Sequence, residues 1–278
     1  MSNVFTRTIS GVIFLLIVTG ALLSGAYYTL GLFSIMTGIM SWEYLRITLP
    51  GKISLPGILS VSASILIYAI PFLISHLELS YKLLFIIVIP IAAIYISLLY
   101  TKKSQTVEYR YHPFLLAPLL YIALPFSLTT AILFRTAGQF NPGLLLSLLI
   151  ITWVSDVGAY VAGISFGQKN GHKLFPSISP KKSWEGFAGG LLLAIVSAFV
   201  LTHFNLINSG LTHSIIISVI VNIGGVLGDL VESQLKREFV VKDSGTIMPG
   251  HGGLLDRFDG TLISFPLAIS YILIFNIT

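Results

Sequence analysis

The chain has 278 residues, of which 55% are apolar and only 10% charged, and its mean hydropathy is +0.91. Soluble globular domains are nearer one quarter charged, so this composition excludes them and predicts an all-α, polytopic integral membrane protein. The net charge of +5 comes from lysines and arginines scattered over short loops, which argues against nucleic-acid binding and for anionic lipid headgroups or nucleotide phosphates. Without cysteine, there are no disulfides, thiolate metal sites or cysteine nucleophile.

In chain order, apolar runs predict about nine transmembrane helices, near 10–28, 29–47, 54–75, 82–100, 114–134, 142–163, 185–204, 213–232 and 262–277. Each is long enough, or nearly so, to cross roughly 30 Å of hydrocarbon. The first run is read as a span and not as a cleaved signal, because further spans follow at once. With this set, all the lysines and arginines except Lys82 and Arg135 fall on one side. Short-loop positive charge marks the cytoplasm, so the N-terminus is predicted cytoplasmic and the C-terminus external.

Residues 1–110 read as N-terminal transmembrane helices of little chemical character. The stretches Glu43 to Lys52 and Lys102 to His112 look like plain cytoplasmic connections, and the prolines between residues 50 and 125 start or kink spans. Residues 111–278 read as a C-terminal transmembrane catalytic region with cytoplasmic loops 164–183 and 233–261. Asp156 lies inside an apolar helix, where a charge needs a partner or a water-filled cavity. Gly158, Ala159, Ala162 and Gly163 beside it allow close approach of a neighbouring backbone. The loop after this helix is rich in Gly, Pro, Ser and Lys and ends in a helix start with Ser183 as N-cap. Ser179, Lys181 and Lys182 stand just ahead of that positive helix end, where an anion meets ammonium groups and free N–H groups together.

The richest segment is 229–259. Asp229, Glu232 and Lys236 are spaced along one helical stripe, and Asp256 and Asp259 are three residues apart, on one face of a helix or tight turn. Paired carboxylates with phosphate oxygens form a hard-ligand site of the Mg²⁺ type. Gly250, Gly252 and Gly253 around His251 supply a backbone able to wrap phosphates, and Arg237, Lys242 and Arg257 supply charge.

The run Ser233-Gln-Leu-Lys236-Arg237, Lys242-Asp243-Ser-Gly245, Met248-Pro249-Gly250-His251-Gly252-Gly253-Leu-Leu-Asp256-Arg257-Phe-Asp259 resembles the signature of the phosphatidate cytidylyltransferase family, also called CDP-diacylglycerol synthases. Ser155-Asp156-x-Gly-Ala-Tyr160 and Ile178-Ser179-Pro180-Lys181-Lys182-Ser183-Trp184-Glu185-Gly186 resemble its second block, with Ser183 where Thr is commoner and Gly260 where Ser is. The resemblance implies transfer of a cytidylyl group from CTP to phosphatidic acid, an active site at the cytoplasmic face of a bacterial inner membrane, and a homodimer. It implies Mg²⁺, with room for a second cation, held by Asp229, Asp256 and Asp259. Lys236, Arg237, Lys242, Arg257 and the His251 loop with Gly252 and Gly253 then take the triphosphate. Lys181 and Lys182, with Ser179 and Asp156, face the lipid phosphate or the nucleotide. An ion or solute transporter using Asp156 and Asp229 as its path is the alternative. It requires acids spread through the bilayer midplane, whereas these crowd beside a cationic, glycine-rich loop. A CDP-alcohol phosphotransferase is a further rival, but no acid follows Asp259 to complete its motif.

Overall fold

The structure, a computed structural model, describes residues 3–49, 51, 53–99, 111–136, 138–168, 171–208, 210–250 and 252–277. His251 and the cations Lys52, Lys102, Lys103, Arg110 and Lys169 lie outside the described residues. The chain forms two compact units. The first runs to Thr130 and adds Thr136–Phe140 and Phe239–Arg257; the second comprises Ala131–Arg135, Asn141–Glu238 and Phe258–Thr278.

In the first unit, α1 (Asn3–Ser24) and α2 (Ala26–Thr48) are separated at Gly25, whose φ of 118° is open to glycine but strained for other residues. α3 (Leu55–Leu77) follows, then a 3₁₀ turn over Tyr81–Ile87 leading into α4 (Val88–Leu99). The next span is α5 (His112–Pro118), a π-helical turn at Leu119–Ala123, and α6 (Leu124–Leu133). Pro125 cannot donate to the carbonyl four residues back, and the wide turn sits where that ladder is interrupted. Phe33, Tyr68, Phe72 and Phe126 are buried and pack ring to ring, with Phe33 and Phe126 centroids 5.5 Å apart.

The second unit holds α7 (Gly143–Ala162) with a π-helical turn at Gly163–Gly167, strands β1 (Lys173–Phe175) and β2 (Ser179–Ser183), α8 (Trp184–His203), α9 (Leu211–Glu238) and most of α10 (Leu255–Ile274). Helices α7 and α8 meet at Gly158 and Gly189: a Cβ on Gly158 would lie 2.6 Å from the Gly189 carbonyl. The α9–α10 pair closes the same way, since a Cβ on Gly228 would strike the Asp259 carbonyl and Gly260. At the opposite end of that pair His213 bonds the Tyr271 hydroxyl at 2.8 Å.

Six helices are long and apolar enough to cross a membrane, within Leu55–Leu77, His112–Leu133, Gly143–Gly167, Trp184–His203, Leu211–Glu238 and Leu255–Ile274. The protein is an integral membrane protein. Six such helices are found among the described residues against the nine expected: Thr8–Ser24 and Tyr81–Ser97 are shorter apolar stretches, and α2 is not among the six. Two expectations change. The fold is not purely helical, because β1 and β2 form an antiparallel hairpin inside the expected loop 164–183. The expected loop 233–261 narrows to 239–254, since α9 continues to Glu238 and α10 begins at Leu255.

Candidate active site

The acids and cations of 229–259 divide between the two units. In the second, the close glycine crossing of α9 and α10 sets Asp259 among like charges. Its carboxylate interacts electrostatically with Asp229 and Glu232 on α9 and with Asp156 on α7. Its Oδ1 accepts the Gly260 N–H at 2.7 Å. Glu232, fully buried, is bonded by the Lys236 ammonium at 2.5 Å, one turn on. Lys182, reaching from β2, pairs with Asp229 Oδ2 at 2.7 Å and also donates to the Val226 carbonyl at 3.1 Å. Ser233 donates to the other Asp229 oxygen at 3.2 Å. Lys182 and Lys236 are ammonium neighbours of two of these four carboxylates. A surplus of hard, anionic oxygen is the donor chemistry that a divalent cation takes. Among the described residues, however, no three acids or histidines converge into a metal shell. Asp229 and Asp259 would have to turn their oxygens together around an ion.

The strand geometry separates two residues expected to act alike. Neighbouring residues of a strand point to opposite faces: Lys182 is half-buried against Asp229, while Lys181 and Pro180 are exposed. Ser179 pairs with Phe175 at the start of β2, and Ser183 caps α8 by accepting the Gly186 N–H at 3.1 Å. His172 on the hairpin meets Glu185 through its backbone N–H at 3.0 Å and its Nδ1 at 3.2 Å. Arg237 reaches the Ile178 carbonyl at 3.5 Å. This bond ties the hairpin turn to the end of α9.

In the first unit the segment 242–257 surrounds a cavity of about 520 Å³ lined by Lys242, Asp243, Thr246, Gly250, Gly252 and Arg257. Its size suits a nucleotide-sized ligand. Asp256 here has partners other than those expected of a metal ligand. Its Oδ2 accepts the Gly253 N–H at 2.7 Å, the Ser244 N–H at 2.9 Å and the Ser244 hydroxyl at 2.9 Å. Gly252 is required twice over: its φ is 88°, and a Cβ would lie 2.6 Å from that same oxygen. The N–H of Gly253 is therefore engaged by a carboxylate, and Lys242 and Arg257 are the cations in the cavity lining. A residue not expected in the site is Glu43 of α2, 3% exposed, whose carboxylate accepts the N–H groups of Leu254 at 3.0 Å and Leu255 at 2.8 Å. Its signal was an acid within an apolar run, the same signal that marks Asp156.

Lys181→Ala and Lys182→Ala are expected to differ. Losing the charge-assisted bonds of Lys182 costs roughly 1.5–3 kcal/mol and lowers the melting temperature in detergent. Lys181→Ala leaves melting unchanged. Equal melting temperatures for the two variants would contradict the assignment of Lys182 to Asp229.

Membrane-crossing helices, a carboxylate cluster with paired lysines, and a cationic nucleotide-sized cavity together define an integral membrane protein equipped to handle phosphates. Comparison with known proteins narrows the class: residues 5–275 match the Cytidylyltransferase family, and the chain belongs to that family. Proteins named phosphatidate cytidylyltransferase are similar along almost the whole length. That of Staphylococcus haemolyticus is 36% identical over 266 residues, 94% of this chain and 96% of the relative. Those of Staphylococcus saprophyticus and Staphylococcus aureus are 35% and 33% identical over the same shares.

Proposed function

We propose that the protein is a phosphatidate cytidylyltransferase, joining CTP and phosphatidic acid into CDP-diacylglycerol and pyrophosphate. The observation that carries this is the family match across residues 5–275, together with full-length relatives of that name. A phosphate oxygen of phosphatidate attacks the α-phosphorus of CTP. The bond from that phosphorus to the β-bridging oxygen breaks, and pyrophosphate leaves with the bonding pair. Phosphatidate is already ionised near neutral pH, so positioning and charge neutralisation dominate and no strong general base is needed.

The first unit contributes Lys242 and Arg257 around the cavity, with Gly252 and Gly253 shaping the loop and Asp256 pinning it. In the second unit Asp229 and Asp259 are the residues to hold a divalent cation, Mg²⁺ in this reading, with Glu232 and Asp156 adding negative field. Such an ion, when bound, supplies positive charge to phosphate oxygens. Lys182 and Lys236 hold Asp229 and Glu232 in place, Arg237 and Ser179 order the hairpin, and Lys181 is an exposed cation that can reach a substrate phosphate. His251 belongs to the same loop by sequence alone. The transporter alternative has no support in the relatives.

The purified protein, given CTP, phosphatidic acid and Mg²⁺, is expected to form a CDP-lipid, and chelation to stop it. Absence of product with every substrate present, or full rate in excess chelator, would contradict the proposal.

The nine-span topology, with a cytoplasmic N-terminus and active site, an external C-terminus and a bacterial inner-membrane location, belongs to the same reading and rests on the loop charges. Because the chain lacks cysteine, single cysteines at Phe175 and Val240, both exposed, report on it directly. Both are expected to resist an impermeant thiol reagent in intact cells and to react after permeabilisation. Labelling of either from outside would contradict the topology.

A further inference from the structure

We infer that Glu43 is a positioning residue for nucleotide binding: from α2 it fixes the segment Ser244–Leu255, which carries the cavity between Lys242 and Arg257. The inference rests on the function proposed above. The first N–H groups of a helix lack intrahelical acceptors, and a polar side chain just before the helix normally takes them. At α10 the residue before the helix is Leu254, which cannot. The acceptor instead arrives from more than 200 residues away: Glu43 Oε1 takes the Leu254 N–H and Oε2 the Leu255 N–H. A carboxylate there also complements the positive helix end.

Glu43 acts on more than the helix end. The Ser244 hydroxyl lies 3.4 Å from Glu43 Oε2 and 2.9 Å from Asp256 Oδ2, so one hydroxyl links the two carboxylates. Asp256 in turn accepts from Ser244 and Gly253. The backbone is shaped around Glu43: a Cβ on Gly245 would collide with its Oε1, and one on Gly253 would come 2.7 Å from its Oε2. A local Ser or Asp at position 254 would cap α10 without burying a charge inside an apolar helix, which is costly. What the distant carboxylate adds is a fixed course for the segment between Lys242 and Arg257, closed by the Arg257 N–H on the Leu254 carbonyl at 3.0 Å. Preorganised cations bind a triphosphate without first being ordered.

The test uses the full-length protein in detergent with Glu43→Gln and Glu43→Ala. Gln keeps the size and one acceptor but presents an NH₂ group to the second N–H. KM for CTP is expected to rise about tenfold in E43Q and further in E43A, in line with lost charge-assisted bonds, while KM for phosphatidate is unchanged. Hydrogen exchange at residues 244–256 should accelerate, and that of the hairpin 173–183 should not. An E43Q protein with wild-type KM for CTP and wild-type exchange overturns the inference. So does a loss of melting temperature with no change in KM for CTP, since that marks Glu43 as structural only. Should E43A fail to fold, the near-isosteric E43Q decides. If the wild-type protein makes no CDP-lipid, the proposed function fails, and the exchange of the Leu254 and Leu255 amides still decides whether Glu43 holds the segment.

Discussion

Asp259→Asn is expected to abolish turnover while leaving the melting temperature unchanged or raised. Asp259 sits within the fields of Asp229, Glu232 and Asp156, three like charges. Glu232 and Asp229 are compensated by Lys236 and Lys182. Removing the charge at 259 relieves repulsion in the empty protein, so folding gains. The same change removes the anionic oxygen that would draw a divalent cation, so catalysis loses. Stability traded against activity is the common signature of a functional charge cluster. The amide keeps the size of the carboxylate and can still accept from the Gly260 N–H. A variant retaining more than about a tenth of the wild-type rate, only ~1.4 kcal/mol of barrier, or one that melts markedly lower, would contradict this role.

Asp256→Asn is expected to lose both turnover and stability. One oxygen of Asp256 accepts from Ser244 N–H, Ser244 Oγ and Gly253 N–H, and Asn offers a neutral oxygen with half as many acceptor oxygens. Bonds to a charged group are worth roughly 1.5–3 kcal/mol, and loss of that order should appear in detergent melting. The turnover loss follows because the segment bearing Lys242 and the turn bearing Arg257 lose their common anchor. The two aspartates, one turn apart on α10, should therefore differ in melting, lower for Asp256→Asn and unchanged or higher for Asp259→Asn. A shift of the same sign and size in both would show that they do not have separate roles.

How much of this was legible in the sequence depends on whether the local pattern carried the information. The stripe Asp229, Glu232, Lys236 follows from helical spacing, and the structure continues α9 through it. The Ser183 cap and the close α7–α8 approach at Gly158 are equally local. Helix ends were misplaced because apolar windows stop where polarity begins, whereas α9 and α10 run on as polar helix past that point. The β1–β2 hairpin left no apolar alternation to read. Backbone pairing holds it, with Lys173 on the Gly167 carbonyl at 3.0 Å and His172 on Glu185. Lys181 and Lys182 read as a pair until strand geometry placed them on opposite faces. Glu43 was read as part of a connection although it falls within the predicted span 29–47. Its partners lie more than 200 residues away, so only tertiary structure reveals its purpose. The different hydrogen-bond partners of Asp256 and Asp259, three residues apart, were invisible for the same reason.

The central claim is cytidylyl transfer onto phosphatidate, and the fate of label from CTP tests it most directly. The purified protein would be given phosphatidic acid and Mg²⁺ with CTP labelled either at the α- or at the γ-phosphorus. Attack at the α-phosphorus sends the α-label into the lipid product and the γ-label into pyrophosphate. Label from the γ-phosphate appearing in lipid, or no α-label in lipid at all, would contradict the account.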